Sequence, residues 1–586
     1  VSAPTLPNGF RAARDDDFPA TGEQIALGPH EELAELVRRG RVTPVPDVPY
    51  TGPVTGDQLD SLAVLEALGE TQRLDDAPVP SPFLHRGVFR TGIHRVSRSA
   101  VALGLILVVQ AALSLRLIWS NTAFTDEALY LWAGHLEWAH WLHGTPVPAF
   151  ATYFSGSPVV YPPVGALADS IGGLAGARLL SLGFMLGATG FLYSTSVRLF
   201  GDRRAALFSA ALFAGLGAAQ FLGAFATYDA MALMLLAFAA WCAARGATTG
   251  AADRAVLLPA CAAALALAVA AKYASALFVP VVIAIAVFAA REHRGAAAAW
   301  RSGVIVAGLA GGFATAGLIA GGATYREGLS VTTLDRAHGA FRAIDILYVS
   351  AGWAGVVMLT GVLGAVAVTA TFRSRPMTAL AWSLAAASFL APAEQARIGV
   401  FTSLFKHVGY GAWFGAIAAG FALSALARTV PPRNASRALR TAASVAAAGA
   451  VSGYLLAGTH FANWPSSSRV MSALRPVLSD AHGPVLMPDA GNVAEYYLPA
   501  QTSQNALYLW YFGYTDPATG HRLTGVPAYR DAIRHRYFSV IVLYFRATDG
   551  IAADIARYGG YRVAAEPPYA VSGITGHATI WIREGA

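Results

Sequence analysis

Charge is scarce in this 586-residue chain: Asp, Glu, Lys and Arg together make up 13% of it, about half the share found in an ordinary soluble protein. A chain so poor in charge cannot cover a water-facing surface of its size, which excludes a fully soluble globule. Cysteine is nearly absent. The two present, Cys242 and Cys261, fall in long apolar runs, so no disulfide framework is implied for any water-facing segment. No short apolar run with a small-residue cleavage site precedes the first long one, and that first run is expected to stay as an anchor.

What fills the chain instead is hydrocarbon: 55% of the residues are hydrophobic and the mean hydropathy is +0.47. Apolar runs near the roughly 20 residues needed to cross a bilayer recur from Val101 almost to Gly458. They predict about eleven spans, near 100–119, 174–199, 204–222, 227–244, 254–271, 274–290, 301–322, 346–371, 378–392, 408–427 and 437–457. Arg90, Arg95 and Arg98 precede the first, and every second loop after it is basic, from Arg203 and Arg204 to Arg437 and Arg440. Basic short loops stay on the cytoplasmic side. The N-terminus is therefore expected inside, with the loop after the first span and the stretch from about Thr459 outside. The net charge of +7 is largely this topology signal and implies no nucleic-acid partner.

Three regions differ in composition. Residues 1–95 are polar and Pro-rich, with acids at Asp15, Asp16 and Asp17, and read as a largely disordered cytoplasmic region. Two short helical patterns in it, "PHEELAELVRRG" and "GDQLDSLAVLEALGE", are either transient helices or a docking site for a cytoplasmic partner. Residues 96–458 form the membrane domain, with an external loop at 120–173. Residues 459–586 read as a soluble α/β domain: "GPVLMPDA", "YFSVIVLYF", "GYRVAAE" and "ATIWIRE" are strand-like, with helical patterns at "NVAEYYL" and "VPAYRDAIRHR". Asp489, Asn492 and Glu495 there could touch a sugar, but turn and helix-start chemistry accounts equally well for the first two.

Polar residues gather at the expected outer ends of the spans, where charge near the membrane is costly and marks candidates for function. Asp126 and Glu127 follow the first span; Tyr228 and Asp229 sit between the third and fourth; Lys272 and Tyr273 between the fifth and sixth. Further on come Arg326, Asp335, Arg336 and His338, then Lys406 and His407. Acids and cations together at one membrane face suit a reaction between a lipid-linked anionic donor and a hydroxyl: cations hold the phosphate and a carboxylate takes the acceptor's proton.

The motifs "TDEALYLWA", "YPPVGALADSIGG", "RLFGDRRAALFSAALFA", "ATYDAMALMLLAF" and "KYASALFVP", in that order, resemble those of glycosyltransferase family 39, the protein mannosyltransferase and aminoarabinose transferase group of the GT-C superfamily. The resemblance covers roughly 120–290 by motif and the later spans by layout. It implies a polytopic α-helical membrane enzyme that takes sugar from a polyprenyl monophosphate donor, with inversion, at a site open to lipid and to the outside of the cytoplasmic membrane. The acceptor is an envelope glycan, a lipid or a protein.

On this resemblance Asp126 is the general base, and Glu127 beside it binds acceptor or tunes Asp126. Lys272, in its Lys-Tyr turn with Tyr273, neutralises the donor phosphate; a lysine snorkelling to the headgroups is the plain alternative. Asp229 matches an acid frequent in its turn, or caps the following helix. By position, Arg336, Lys406 and His407 join the phosphate group, and Tyr161, Tyr228 and His338 join the substrate contacts. Some relatives carry an acid or histidine before the proline of the second motif, as a metal ligand. Here Tyr161 precedes Pro162 and Pro163, so no metal site is expected and no cofactor is obligatory, although a divalent cation is compatible with the chemistry. The rival readings are a lipid-linked glycan transporter or flippase, and a polymerase or ligase using a polyprenyl diphosphate-linked glycan.

Overall fold

The structure, a computed structural model, describes residues 97–429, 435–487, 491–502, 506–507, 512–543, 549–571 and 574–585. The expected helices of the N-terminal region, and Asp489, lie outside the described residues. Among the described residues ten helices are long and apolar enough to cross a membrane, and the chain is a multi-pass membrane protein.

The first, α1 (Arg98–Ile118), leads to α2 (Thr125–His143), the main element of the loop that follows. Helix α2 ends where Gly144 turns left-handed at φ 69°, a conformation glycine adopts without cost. Helix α3 (Tyr161–Phe200) is two helices in one: Gly173, at φ 60°, breaks it after three turns, so that only the part beyond the break corresponds to the expected second span. A side chain at Gly134 would place its Cβ 2.0 Å from the Pro162 carbonyl oxygen. That close approach seats α2 against the head of α3.

The third expected span differs from expectation. It is two helices, α4 (Arg203–Gly215) and α5 (Gly217–Leu222), joined at Leu216, whose ψ of 144° is extended. Together they still cover about 30 Å of rise. The Gly215 carbonyl freed by the break accepts a hydrogen bond from Gln220 Nε2 at 2.7 Å, which meets the requirement that buried backbone groups be paired.

The remaining spans are α6 (Tyr228–Thr248), α7 (Ala251–Ala271), α8 (Val279–Arg294), α9 (Ala296–Leu329), α10 (Ala343–Phe372), α11 (Arg375–Ile398), α12 (Leu404–Thr429) and α13 (Ala435–Asn463). Helices α6 and α12 are the most enclosed, while α9 is peripheral. Small residues allow the close packing: a Cβ at Gly364 of α10 would come 1.9 Å from the Ala418 carbonyl oxygen of α12. Without a hydrophobic force between helices in lipid, such backbone approach is a main source of association.

After α14 (Ser468–Asp480) the chain builds a small α/β module. It comprises β1 (Val485–Leu486), α15 (Gly491–Tyr497), α16 (Pro499–Thr502), β2 (Ala506–Leu507), β3 (Gly513–Thr515), β4 (Arg522–Thr524), α17 (Gly525–Arg534), β5 (Val540–Leu543), α18 (Asp549–Tyr558), β6 (Tyr561–Ala565), β7 (Pro568–Val571), β8 (Ile574–His577) and β9 (Thr579–Arg583). The main sheet runs β2-β1-β5-β9-β6, with β1 parallel to β2 and β5, and β9 antiparallel to β5 and β6. Strand β5 is buried on both faces, which is why "VIVL" is an unbroken apolar run instead of an alternating one. The strands and helices expected at β1, β5, β6, β9, α15 and α17 are all present.

The module is seated on α2. Tyr497 of α15 accepts the Ala123 backbone N–H at 2.9 Å. Its neighbour Tyr496 donates to Asp169 Oδ1 at 2.5 Å, and Asp169 Oδ2 is 2.7 Å from His135 Nε2 on α2. Burial, followed by the bond to Asp169, raises the Tyr496 hydroxyl well above the usual phenol range. It remains a donor at physiological pH.

Candidate active site

Three helix starts, those of α2, α6 and α12, and the turn after α7 supply the candidate side chains. Asp126 and Glu127 lie in the first turn of α2, where a helix N-terminus favours negative charge. Their side chains nevertheless do different things.

Glu127 is completely buried. Its Oε1 accepts from Arg178 Nε at 2.8 Å and from the Ala226 backbone N–H at 2.8 Å; its Oε2 accepts from an Arg178 terminal nitrogen at 2.6 Å and from the Phe124 backbone N–H at 3.0 Å. Each oxygen thus carries two donors, which leaves no vacant side for an acceptor. Of the two tasks expected for Glu127, acceptor contact or tuning of Asp126, these bonds leave its oxygens fully engaged in tying the start of α2 to Arg178 and to the Ala226 backbone. Arg178 also donates to the carbonyls of Ile118, Asn121 and Thr122, tying the end of α1 to the start of α2.

Asp126 points elsewhere and is partly exposed. Lys406, near the start of α12, donates from Nζ to Asp126 Oδ2 at 2.8 Å and lies 3.6 Å from Asp229 Oδ2. Among the described residues no hydrogen bond reaches Asp126 Oδ1. Asp229, in the first turn of α6, is fully buried, with Thr227 Oγ1 donating to Oδ2 at 2.9 Å and the Tyr410 hydroxyl to Oδ1 at 3.3 Å. Asp229 is therefore both held by its own helix start and part of the acid cluster.

Tyr228, the preceding residue, belongs to a second cluster. Lys272 Nζ donates to Ser155 Oγ at 2.5 Å and to the Tyr228 hydroxyl at 3.2 Å, and sits 4.7 Å from the centre of the Tyr228 ring. The Tyr228 hydroxyl is also bonded to Ser155 and lies 2.5 Å from the Tyr130 hydroxyl. The Lys272 side chain is buried among these hydroxyls, which differs from a lysine reaching out to headgroups. Tyr273 anchors the turn by giving its backbone N–H to the Ser155 carbonyl at 2.8 Å. The head of α6 thus joins an acid cluster to a cation cluster through two adjacent residues.

Other candidates fall outside these clusters or beneath them. Tyr161 is completely buried in an aromatic core with Tyr130, Trp132, Phe150, Phe154 and Tyr228. His407 is buried, with Nδ1 at 3.2 Å from Gln395 Nε2 and its ring edge-on to Tyr410. Arg336 and His338 lie on the loop that pairs with the end of α11, where Gly339 N–H donates to the Ile398 carbonyl at 2.7 Å. Both act electrostatically on Glu394, which also holds Arg397. Among the described residues no three His, Cys, Asp or Glu side chains group as a metal site would require.

Residues 165–313 match the family model described as dolichyl-phosphate-mannose-protein mannosyltransferase. The chain superposes on the crystal structure of ArnT from Cupriavidus metallidurans in the apo state with a TM-score of 0.53 at 15% identity, covering 83% of this chain and 98% of that one. The chain has the GT-C fold. The same ArnT bound to undecaprenyl phosphate gives a TM-score of 0.54 at 15% identity over 84% of this chain and 99% of that one. No curated protein matches the chain. Arg178, Tyr130, Ser155 and Tyr410 also belong to these clusters, although their place in the sequence does not single them out as candidates. Only Arg178 had a signal, as an arginine inside an expected span.

One more carboxyl on α2 is unusual. Glu137 is buried, and among the described residues no hydrogen bond or ion pair reaches it. Burial raises its carboxyl above the usual range, with His140 opposing weakly. Because the folded value exceeds the unfolded one, folded protein loses stability as pH rises through that interval. Glu137→Gln is therefore expected to raise the melting temperature at pH 7, with the gain vanishing toward about pH 4. Thermal unfolding across that range tests it; an equal gain at both ends would show that charge is not the cause.

Proposed function

We propose that the chain is an inverting membrane glycosyltransferase that moves a sugar from a polyprenyl monophosphate donor to an acceptor hydroxyl on the outer face of the cytoplasmic membrane. The observation that carries this reading is the junction at the head of α6. Asp126, a carboxylate with one open oxygen, is held by Lys406 near Asp229, and the adjacent Tyr228 contacts the buried cation Lys272, so that two neighbouring residues of α6 link the acid environment to the cation environment. The fold, similar to an ArnT captured with undecaprenyl phosphate, supports a polyprenyl carrier whose chain stays in lipid while its head enters between helices.

The acceptor hydroxyl gives its proton to Asp126 as its oxygen attacks the anomeric carbon from the side opposite the phosphate. Lys272, with hydroxyls of Ser155 and Tyr228 around it, receives the charge that builds on the leaving phosphate. Residues 96–458 form the catalytic domain in this reading, and residues 459–586 the external module that favours an extended envelope glycan or lipid as acceptor. The N-terminal 95 residues face the cytoplasm, where a partner could dock. A divalent cation is not required by any step.

The test is release of labelled sugar from a panel of polyprenyl monophosphate donors by the full chain in lipid vesicles, with Lys272→Met alongside. One donor should be consumed, and its KM should rise roughly 10- to 100-fold in the variant, the loss expected for a hydrogen bond to a charged group. Consumption of a diphosphate-linked glycan alone would overturn the proposal in favour of a polymerase or ligase.

A further inference from the structure

The position of Lys406 at an outer span end places it among phosphate-binding cations, but its neighbours are carboxylates. Its side chain is only 7% exposed, with Nζ at 2.8 Å from Asp126 Oδ2 and 3.6 Å from Asp229 Oδ2. The first distance is a charge-assisted hydrogen bond; the second is beyond hydrogen-bond range. The ring of Phe225 closes another side at 5.8 Å.

We propose that Lys406 is the positioning residue of the base: it fixes Asp126 Oδ2 so that Oδ1 faces the acceptor, and it passes to Asp229 when Asp126 takes the proton. This rests on Asp126 being the base. Three observations combine. Asp126 Oδ1 has no hydrogen bond among the described residues, so fixing Oδ2 leaves a single direction for the incoming proton. Asp229 is buried and hydrogen-bonded by Thr227 and Tyr410, so the adjustment falls to the lysine. A move of about 0.8 Å, the difference between 3.6 and 2.8 Å, brings Nζ within hydrogen-bond range of Asp229. The flexible four-carbon stem and three rotatable donors of a lysine permit it.

The charges balance along this path. Before reaction the cluster holds two carboxylates and one ammonium. The acceptor O–H bond breaks, its proton goes to Asp126 Oδ1, and its electron pair forms the new bond to the anomeric carbon. The bond from that carbon to the phosphate oxygen breaks, and its pair leaves with the polyprenyl phosphate. Asp126 is then neutral, and Lys406 and Asp229 remain as a matched pair. Product departure and return of the proton to water restore the start.

The proposal is tested by steady-state transfer in lipid vesicles with Lys406→Met, Lys406→Gln, Lys406→Arg and the double variant Lys406→Met/Asp229→Asn. Loss of the ammonium should lower kcat about 100-fold while the donor KM stays within about threefold, because the interaction acts on the base and not on donor binding. Lys406→Arg should recover most of kcat. The double variant removes the carboxylate left unmatched by Lys406→Met and should be about tenfold faster than that single variant. A donor KM raised tenfold or more with kcat unchanged, in either neutral variant, would make Lys406 a phosphate ligand and overturn the proposal while leaving the glycosyltransferase reading intact. Wild-type turnover by Asp126→Asn would remove the base itself and the proposal with it. If Lys406→Met does not fold, Lys406→Gln, which keeps a donor without the charge, carries the same comparison.

Discussion

Asp126→Asn is expected to lower kcat for sugar transfer by about 10²- to 10⁴-fold, the contribution of a positioned general base. The amide has the shape of the carboxylate and keeps an oxygen that can accept from Lys406, so the fold should be unaffected. Asp126 is partly exposed and closes no backbone contact of the helix start; that task belongs to Glu127. The melting temperature of the detergent-solubilised variant should therefore match the wild type, and donor KM should change little. Full activity in Asp126→Asn, measured with the donor the wild type consumes, would eliminate it as the base.

Arg178→Met is expected to cost about 3–5 kcal/mol of stability, the penalty for leaving one member of a buried ion pair without the other. Glu127 would keep two backbone donors and lose both guanidinium contacts, while the carbonyls of Ile118, Asn121 and Thr122 would lose their side-chain partner. The start of α2 should loosen, and with it the aim of Asp126. Replacing both partners, as Arg178→Met/Glu127→Leu, should recover a large part of the loss, since a well-packed apolar pair often substitutes for a buried ionic one. Thermal unfolding of the three variants distinguishes these cases. A stable Arg178→Met with a raised donor KM would instead assign the guanidinium to the phosphate.

Much of the fold was legible because a membrane span is a local property: 18 or more apolar residues declare themselves without reference to the rest of the chain. The break at Leu216 was not. It sits in a continuous apolar run, and what interrupts the helix is tertiary, since Gly215 lies against Ala450 of α13 and Gly217 against Trp353 of α10. The site divides the same way. Asp126, Asp229 and Lys272 stand out at span ends, but adjacency of Asp126 and Glu127 suggested a shared task. On a helix, neighbours diverge by about 100°, and here one carboxylate turns inward to Arg178 while the other turns to Lys406. The pairing of Lys406 with Asp126 joins residues 280 apart, and nothing local announces it. Ser155 carried no signal at all: a serine in an irregular segment acquires meaning only when Lys272 arrives beside it.

The seating of the C-terminal module on α2 bears on how such proteins can be recombined. Tyr497 holds the backbone just ahead of the acid-bearing helix start, and Tyr496 reaches through Asp169 to His135 farther along the same helix. A chimera that exchanged residues 459–586 for the module of a relative, in order to redirect the acceptor, would also exchange the bracket that keeps this helix in register. Such a graft would have to retain the tyrosine pair, or bring Asp169 and His135 along with it, before any change in its products could be credited to acceptor choice.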